Sequence, residues 1–202
     1  MASWISGRAR PRLVALAALV GALAAPAGAT AAVETFHRFE AVATANFVVT
    51  QSCADGSTAV IRVTVIGGHE EESESGVTTL DSDFLTVLLR GFDCAGGFVN
   101  DLGFGPAAFS FSPSLQEAAV TGTITTRGGR SVAVHMVWDG MGPVESTSNT
   151  TRFPGFTGHF VGKRRDAVAT GTVVVDGETL VDGSTTNAEI ETLEDTNIST
   201  GA

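Results

Sequence analysis

The sequence predicts an all-β protein, an antiparallel β-sandwich of about ten strands with a flattened β-barrel as the alternative, carrying one disulfide, Cys53–Cys94. Gly and Asp-Gly pairs punctuate the chain at short intervals. Between them, apolar and β-branched residues alternate with polar ones, the period of a strand with one buried face. No segment longer than two turns carries a helical apolar period, and residues 115–120 are the one place where a short helix is tempting.

The chain opens on Arg8, Arg10 and Arg12, an uncharged apolar run over 13–25, and small residues over 26–31. That order is a secretory signal, with a small-x-small cleavage pattern at Ala27 and Ala29. At about 13 residues the run falls short of the roughly 20 that a membrane-spanning helix needs. Residues 1–31 are therefore expected to be removed, leaving a single domain over 32–202 in an extracellular or periplasmic space. No Cys follows the leader at once, which argues against a lipid anchor, and no later apolar run is long enough to span a bilayer.

Without the three leader arginines, 9 of the 12 Lys and Arg face 22 Asp and Glu, a net charge of −13. Such a surface repels phosphate backbones and anionic headgroups, so neither nucleic acid nor a membrane surface is an expected partner. A protein or glycan ligand is the expected alternative, and no cofactor is implied.

Strand by strand, residues 44–52 and 58–66 form a hairpin around Ala54-Asp55-Gly56-Ser57, with Val60, Val63 and Val65 supplying β-branched bulk. Residues 67–82 hold the run from His69 through Glu70, Glu71, Glu72 and Glu74, whose clustered carboxylates predict a solvated, mobile loop. Strands 84–93 and 98–104 flank Ala95-Gly96-Gly97, and Gly105-Pro106 ends that hairpin before a short piece at Phe109 and Phe111. Strands 118–126 and 131–138 flank Arg127-Gly128-Gly129-Arg130, with Val132, Val134, Met136 and Trp138 on one face. A Ser/Thr-rich stretch to Thr151 reads as a loop or an edge strand. Residues 156–161, 167–175 and 188–193 complete the set, with a turn at Asp176-Gly177 and a frayed acidic tail.

Exported thiols are expected to pair, and closing a loop of about 41 residues stabilises a fold by roughly 3–4 kcal/mol on the chain-entropy account. Both cysteines fall at the upper ends of strands. Strands flanking a shared neighbour lie about 9–10 Å apart, too far for a bridge. Either the acidic segment carries the third strand over beside the first, or the two turns fold toward each other. The bridge also differs from the immunoglobulin one, which joins mid-strand positions with a Trp between them in sequence.

Gln51-Ser52-Cys53 before a Val/Ile strand, the Phe92-Asp93-Cys94 turn and Trp138-Asp139-Gly140-Met141-Gly142-Pro143 together resemble a loose group of secreted bacterial β-rich proteins of no assigned function. The resemblance covers most of the exported chain and implies no activity, cofactor or site residue.

Catalytic patterns fail one by one. His69-Glu70 lacks the second His of a metalloprotease helix, and no G-x-S-x-G elbow occurs in the exported chain. His37, His69, His135 and His159 are the only imidazoles, and no two are spaced within one strand to share a metal. Paired carboxylates for glycoside chemistry cannot be picked out among 22 acids. Asp81 and Asp83 are weak calcium candidates, without the loop spacing of a dedicated site. Trp138 is expected in the core and not as a sugar platform, and Lys163-Arg164-Arg165 reads as a β-turn in an acidic surface. The expected function is a secreted, non-catalytic structural or binding module. The alternative is a hydrolase with a dispersed Asp/Glu/His site, which a cleft holding a carboxylate of raised pKa beside His135 or His159 would favour.

Overall fold

The computed structural model describes residues 33–200, so the leader expected over 1–31 lies outside the described residues. Nine strands follow one another: β1 Val33–Ser52, β2 Thr58–Glu74, β3 Val77–Phe92, β4 Phe98–Pro106, β5 Ala108–Phe111, β6 Glu117–Thr125, β7 Ser131–Phe153, β8 Phe156–Val175 and β9 Glu178–Thr200. All belong to one antiparallel sheet in the order β4-β3-β2-β1-β9-β8-β7-β6-β5. The all-β antiparallel expectation holds, with nine strands where about ten were expected.

Alternation dictates the core. On β1 the buried residues are Ala41, Ala43, Ala45 and Phe47, and on β7 they are Val132, Val134, Met136 and Trp138. These inward faces oppose one another because the sheet curls. Trp138 is fully buried and its Nε1–H donates to the Thr44 carbonyl on β1, 3.0 Å away. A Cβ on Gly67 would lie 2.7 Å from Val120 of β6, and one on Gly122 would press on Ala107 and on Leu85 of β3. The flanks thus pack face to face while the ladder that links them is continuous. At the seam, β4 meets β6 at the Gly103–Thr126 bridge, and Arg127 N–H donates to the Leu102 carbonyl.

Three hairpins close with the same five-residue turn, 53–57, 93–97 and 126–130. In each, the first N–H donates to the fifth carbonyl and the fourth N–H to the first. The fourth residue is Gly56, Gly96 or Gly129, with φ of +80°, +73° and +82°, the left-handed position of a type I turn with a G1 bulge. Because the chain runs up and down, these turns and Asp176-Gly177 gather at one end of the sheet.

That clustering explains the bridge. Cys53 and Cys94 are disulfide-bonded with Cα atoms 5.3 Å apart, although β2 separates β1 from β3. The turns lean together over β2, the second of the two routes open to the sequence.

Several expectations are corrected. Residues 67–82 are not a loop: β2 runs to Glu74, β3 starts at Val77, and Ser75-Gly76 alone make the turn, both with positive φ. Strand alternation sends Glu70 and Glu72 outward, where Arg38 of β1 pairs with both, so the acidic run is neutralised in part by a neighbouring strand. The 156–161 and 167–175 pieces are one strand, and the expected frayed tail is the end of β9, paired to β1 and β8. The Ser/Thr-rich stretch, expected as a loop or an edge strand, is the exposed second half of β7, paired over 145–153 with β8 alone, so the edge-strand reading holds. No helix forms at 115–120, where Ser112 turns the chain by accepting from Gln116 N–H before β6.

Asp101 of β4 holds the seam. It is buried, its Oδ2 accepts from the Thr126 hydroxyl at 2.6 Å, and its Oδ1 accepts from Gly128 N–H at 2.9 Å. Desolvation pushes its pKa up, but the hydrogen bonds from Thr126, Gly128 and Leu102 and the Arg130 charge outweigh that and hold it below the ordinary value of 3.8. A depressed acid stabilises the fold above its unfolded pKa, and that contribution is lost as pH falls through the folded value. Asp101→Ala is expected to cost about 2–3 kcal/mol in urea melts at pH 7, since the buried Thr126 hydroxyl and the Gly128 N–H lose their acceptor. A loss below about 0.5 kcal/mol would contradict the seam role. Replacing Cys53 and Cys94 together by Ser is expected to cost about 3–4 kcal/mol in the same measurement.

Candidate ligand pocket at the disulfide-tied end

Three of the four gathered turns, through Asp93, Arg130 and Asp176, rim a cavity of about 580 Å3 whose mouth is also lined by Thr50, Gln51, Glu178 and Thr179. Its walls are the side chains Val49, Ile61, Val175 and Leu180, and its floor is the buried pair Leu89 and Val99, where the packed core begins. Val49, Ile61, Leu89, Val99 and Val175 project inward by the same alternation that builds the core, while Leu180, next to the buried Val181, sits at the irregularity where Val173 pairs with Val181 and Val174 with Thr179. The rim is charged: Asp93, Arg130, Asp176 and Glu178.

Two of those acids are fixed by backbone. Asp93 Oδ1 accepts from the N–H groups of Ala95 and Gly97 within its own turn, and Asp176 Oδ1 accepts from Ser131 N–H at 2.9 Å. These bonds hold the β3–β4 turn and join the β8–β9 turn to β7. Glu178 has no side-chain hydrogen bond or ion pair among the described residues. Arg130 follows the turn that Asp101 pins from below, so the seam acid positions the rim cation.

At the opposite end a smaller cleft of about 260 Å3 is lined by Phe39, Phe111, Pro113, Val161, Lys163 and Glu194, among others. Phe111 stacks on Phe39 with centroids 5.7 Å apart.

The residues singled out in the sequence are dispersed. His135 is exposed with Nδ1 2.9 Å from the Thr121 hydroxyl, and His159 is exposed with Nδ1 3.0 Å from the Thr150 hydroxyl. His37 Nε2 lies 3.2 Å from Glu194. His69 Nδ1 lies 2.9 Å from Asp83 and 4.0 Å from Asp81, while Asp83 Oδ2 accepts from Phe109 N–H. The calcium candidates Asp81 and Asp83 thus share His69, and Asp83 also anchors β5. Among the described residues no group of three or more His, Cys, Asp and Glu is placed to hold a metal ion. The His69–Asp83 pair has the orienting half of a general-base unit, but no hydroxyl or thiol hydrogen-bonds to His69 among the described residues.

Lys163-Arg164-Arg165 is not a turn but the middle of β8, where alternation splits it. Arg164 points outward to Asp166, Glu189 and Glu191. Arg165 points inward, beneath Gly140, and donates to the Ser114 carbonyl. Trp138 is a core residue, as expected.

No protein-family model matches the chain, and no curated protein matches it. Among solved structures the chain is similar to a Nitrosomonas europaea protein provisionally named AttH, at 10% identity over 84% of this chain and 52% of that one, with a TM-score of 0.22. The chain thus spans about half the length of that protein, and so low a score carries no argument about fold or function.

The electrostatics of the outer face yield a test of the packing. Glu40 on β1 is pushed above its ordinary value of 4.5 by burial, against the Arg38 charge and with the repulsion of Glu70. A raised acid costs stability when ionised, so the penalty is present at neutral pH and vanishes once pH falls below the unfolded value. Glu40→Gln is therefore expected to stabilise the protein at pH 7 by up to about 1 kcal/mol, with no gain at pH 3, in denaturant melts. Destabilisation at pH 7 would show that the ion pair with Arg38 outweighs the desolvation.

Proposed function

We propose that the chain is an exported, non-catalytic binding module that takes a small ligand with an apolar body into the cavity at the disulfide-tied end. The observation that carries the reading is that cavity: about 580 Å3, with Val49, Ile61, Leu89, Val99, Val175 and Leu180 as its apolar lining and Thr50, Gln51, Thr179 and four charged residues as its polar lining. Small-molecule sites have this size, and the apolar side chains at its base give a ligand's hydrocarbon part a surface to bury against. Turns tied by a disulfide and by carboxylate-to-backbone bonds keep such a mouth open without a ligand, which lowers the ordering cost of binding.

Export is supported by the leader pattern and by the bridge, which fits an oxidising compartment. No helix among the described residues is long and apolar enough to cross a membrane. The hydrolase alternative gains less support, because the raised carboxylate is Glu40 on the outward face of β1, while His135 and His159 hydrogen-bond to threonine hydroxyls.

The neutral apolar dye N-phenyl-1-naphthylamine is expected to bind the disulfide-intact protein with a rise in fluorescence. Filling the mouth with Val49→Trp and Leu180→Trp should weaken binding at least tenfold while the circular dichroism stays unchanged. Dye binding that the filled variant retains in full would place the apolar site elsewhere and defeat the reading.

A further inference from the structure

We infer that the ligand of this cavity is an amphipathic cation, an apolar body carrying an ammonium or similar positive head, an inference that rests on the binding reading above. The rim presents three carboxylates, Asp93, Asp176 and Glu178, against one guanidinium, Arg130. Hydrogen bonds from backbone N–H groups hold the first two in place without removing their charge. Glu178 is the carboxylate left for a ligand: it is exposed at the start of β9, lines the cavity, and has no side-chain partner among the described residues.

The apolar and charged parts are stacked in one direction. Leu89 and Val99 close the bottom, Val49, Ile61, Val175 and Leu180 line the middle, and the charges stand at the opening beside Thr50, Gln51 and Thr179. A molecule that buries a hydrocarbon part against those walls must leave its head among the rim charges. There a positive head meets a local excess of two negative charges on a chain whose net charge is −10. A carboxylate head in that position finds one partner, Arg130, and repulsion from the other three groups. Long-range attraction from the acidic surface adds to capture of the cation and opposes capture of the anion.

Displacement of N-phenyl-1-naphthylamine at low ionic strength, with decyltrimethylammonium, decanol and decanoate each kept below its micelle concentration, tests this. The ammonium is expected to displace the dye at about tenfold lower concentration than decanoate, with decanol between them. The gap should narrow in about 0.5 M NaCl, where surface charges are screened. It should also narrow in Glu178→Gln and widen in Arg130→Gln. Decanoate displacing the dye as well as the ammonium, or a preference untouched by Glu178→Gln, would overturn the charge assignment and leave the cavity reading standing. Failure of the dye to bind at all would defeat both.

Discussion

Everything in this fold depends on two flanks of one sheet coming into van der Waals contact across a narrow gap. The side chains that fill the gap are unequal: the small Ala43 and Ala45 on β1 share one core cluster with the large Trp138 and Met136 of β7. Gly67 and Gly122 leave room where β2 and β3 approach β6, and Gly103 and Gly105 do so for Ile124 at the seam. A larger residue at any of these glycines meets an atom at about van der Waals contact or closer, in a core where overpacking costs typically 1–3 kcal/mol. The Trp138 indole N–H finds its acceptor in the Thr44 carbonyl, so the largest buried side chain also fixes how β7 lies over β1. Above this packed layer Val49, Ile61, Val175 and Leu180 line the space that remains, the cavity.

How much of this the sequence discloses follows from how local each cause is. Turns are legible because the left-handed conformation at Gly56, Gly96, Gly129 and Gly177 demands a residue type that stands out in the chain. The core strand 131–138 is legible because Val132, Val134, Met136 and Trp138 alternate cleanly. Strand ends are not legible where the compensating partner is distant. Glu70 and Glu72 look like loop residues until Arg38, more than thirty positions away, is laid beside them by the β1–β2 register. The tail of β9 likewise gains its order from β1 and β8. The cavity is the least legible feature, since its lining comes one to three residues at a time from six strands and three turns. The one trace of it in the sequence is that turn residues of alternate hairpins share an end of the sheet.

The charge distribution repeats one arrangement. On the outward face Arg38 sits among Glu40, Glu70 and Glu72, and Arg164 among Asp166, Glu189 and Glu191. Arg130 stands among three acids at the rim. In each of these three groups the cation is outnumbered, so each keeps a negative surplus. Exposed pairs of this kind add little stability, typically below 1 kcal/mol each. Their effect is on register and on the field that solutes meet.

The junction between β4 and β5 ties these features together. Gly103 faces Thr126, and five residues later Ala108 faces Thr121, so the pairing with β6 resumes in step after the interruption at 104–107. One length of backbone therefore serves both rims of the curled sheet, bonded to β3 along one side and to β6 along the other. The count of residues in that interval sets a parity. Adding or removing a single one would turn Phe109 and Phe111 to the opposite side, strip Phe39 of its stacked neighbour and leave Asp83 without the amide it holds, whereas a change of two would preserve the phase. The way the two edges of the sheet meet is thus written as an odd-or-even rule in four residues.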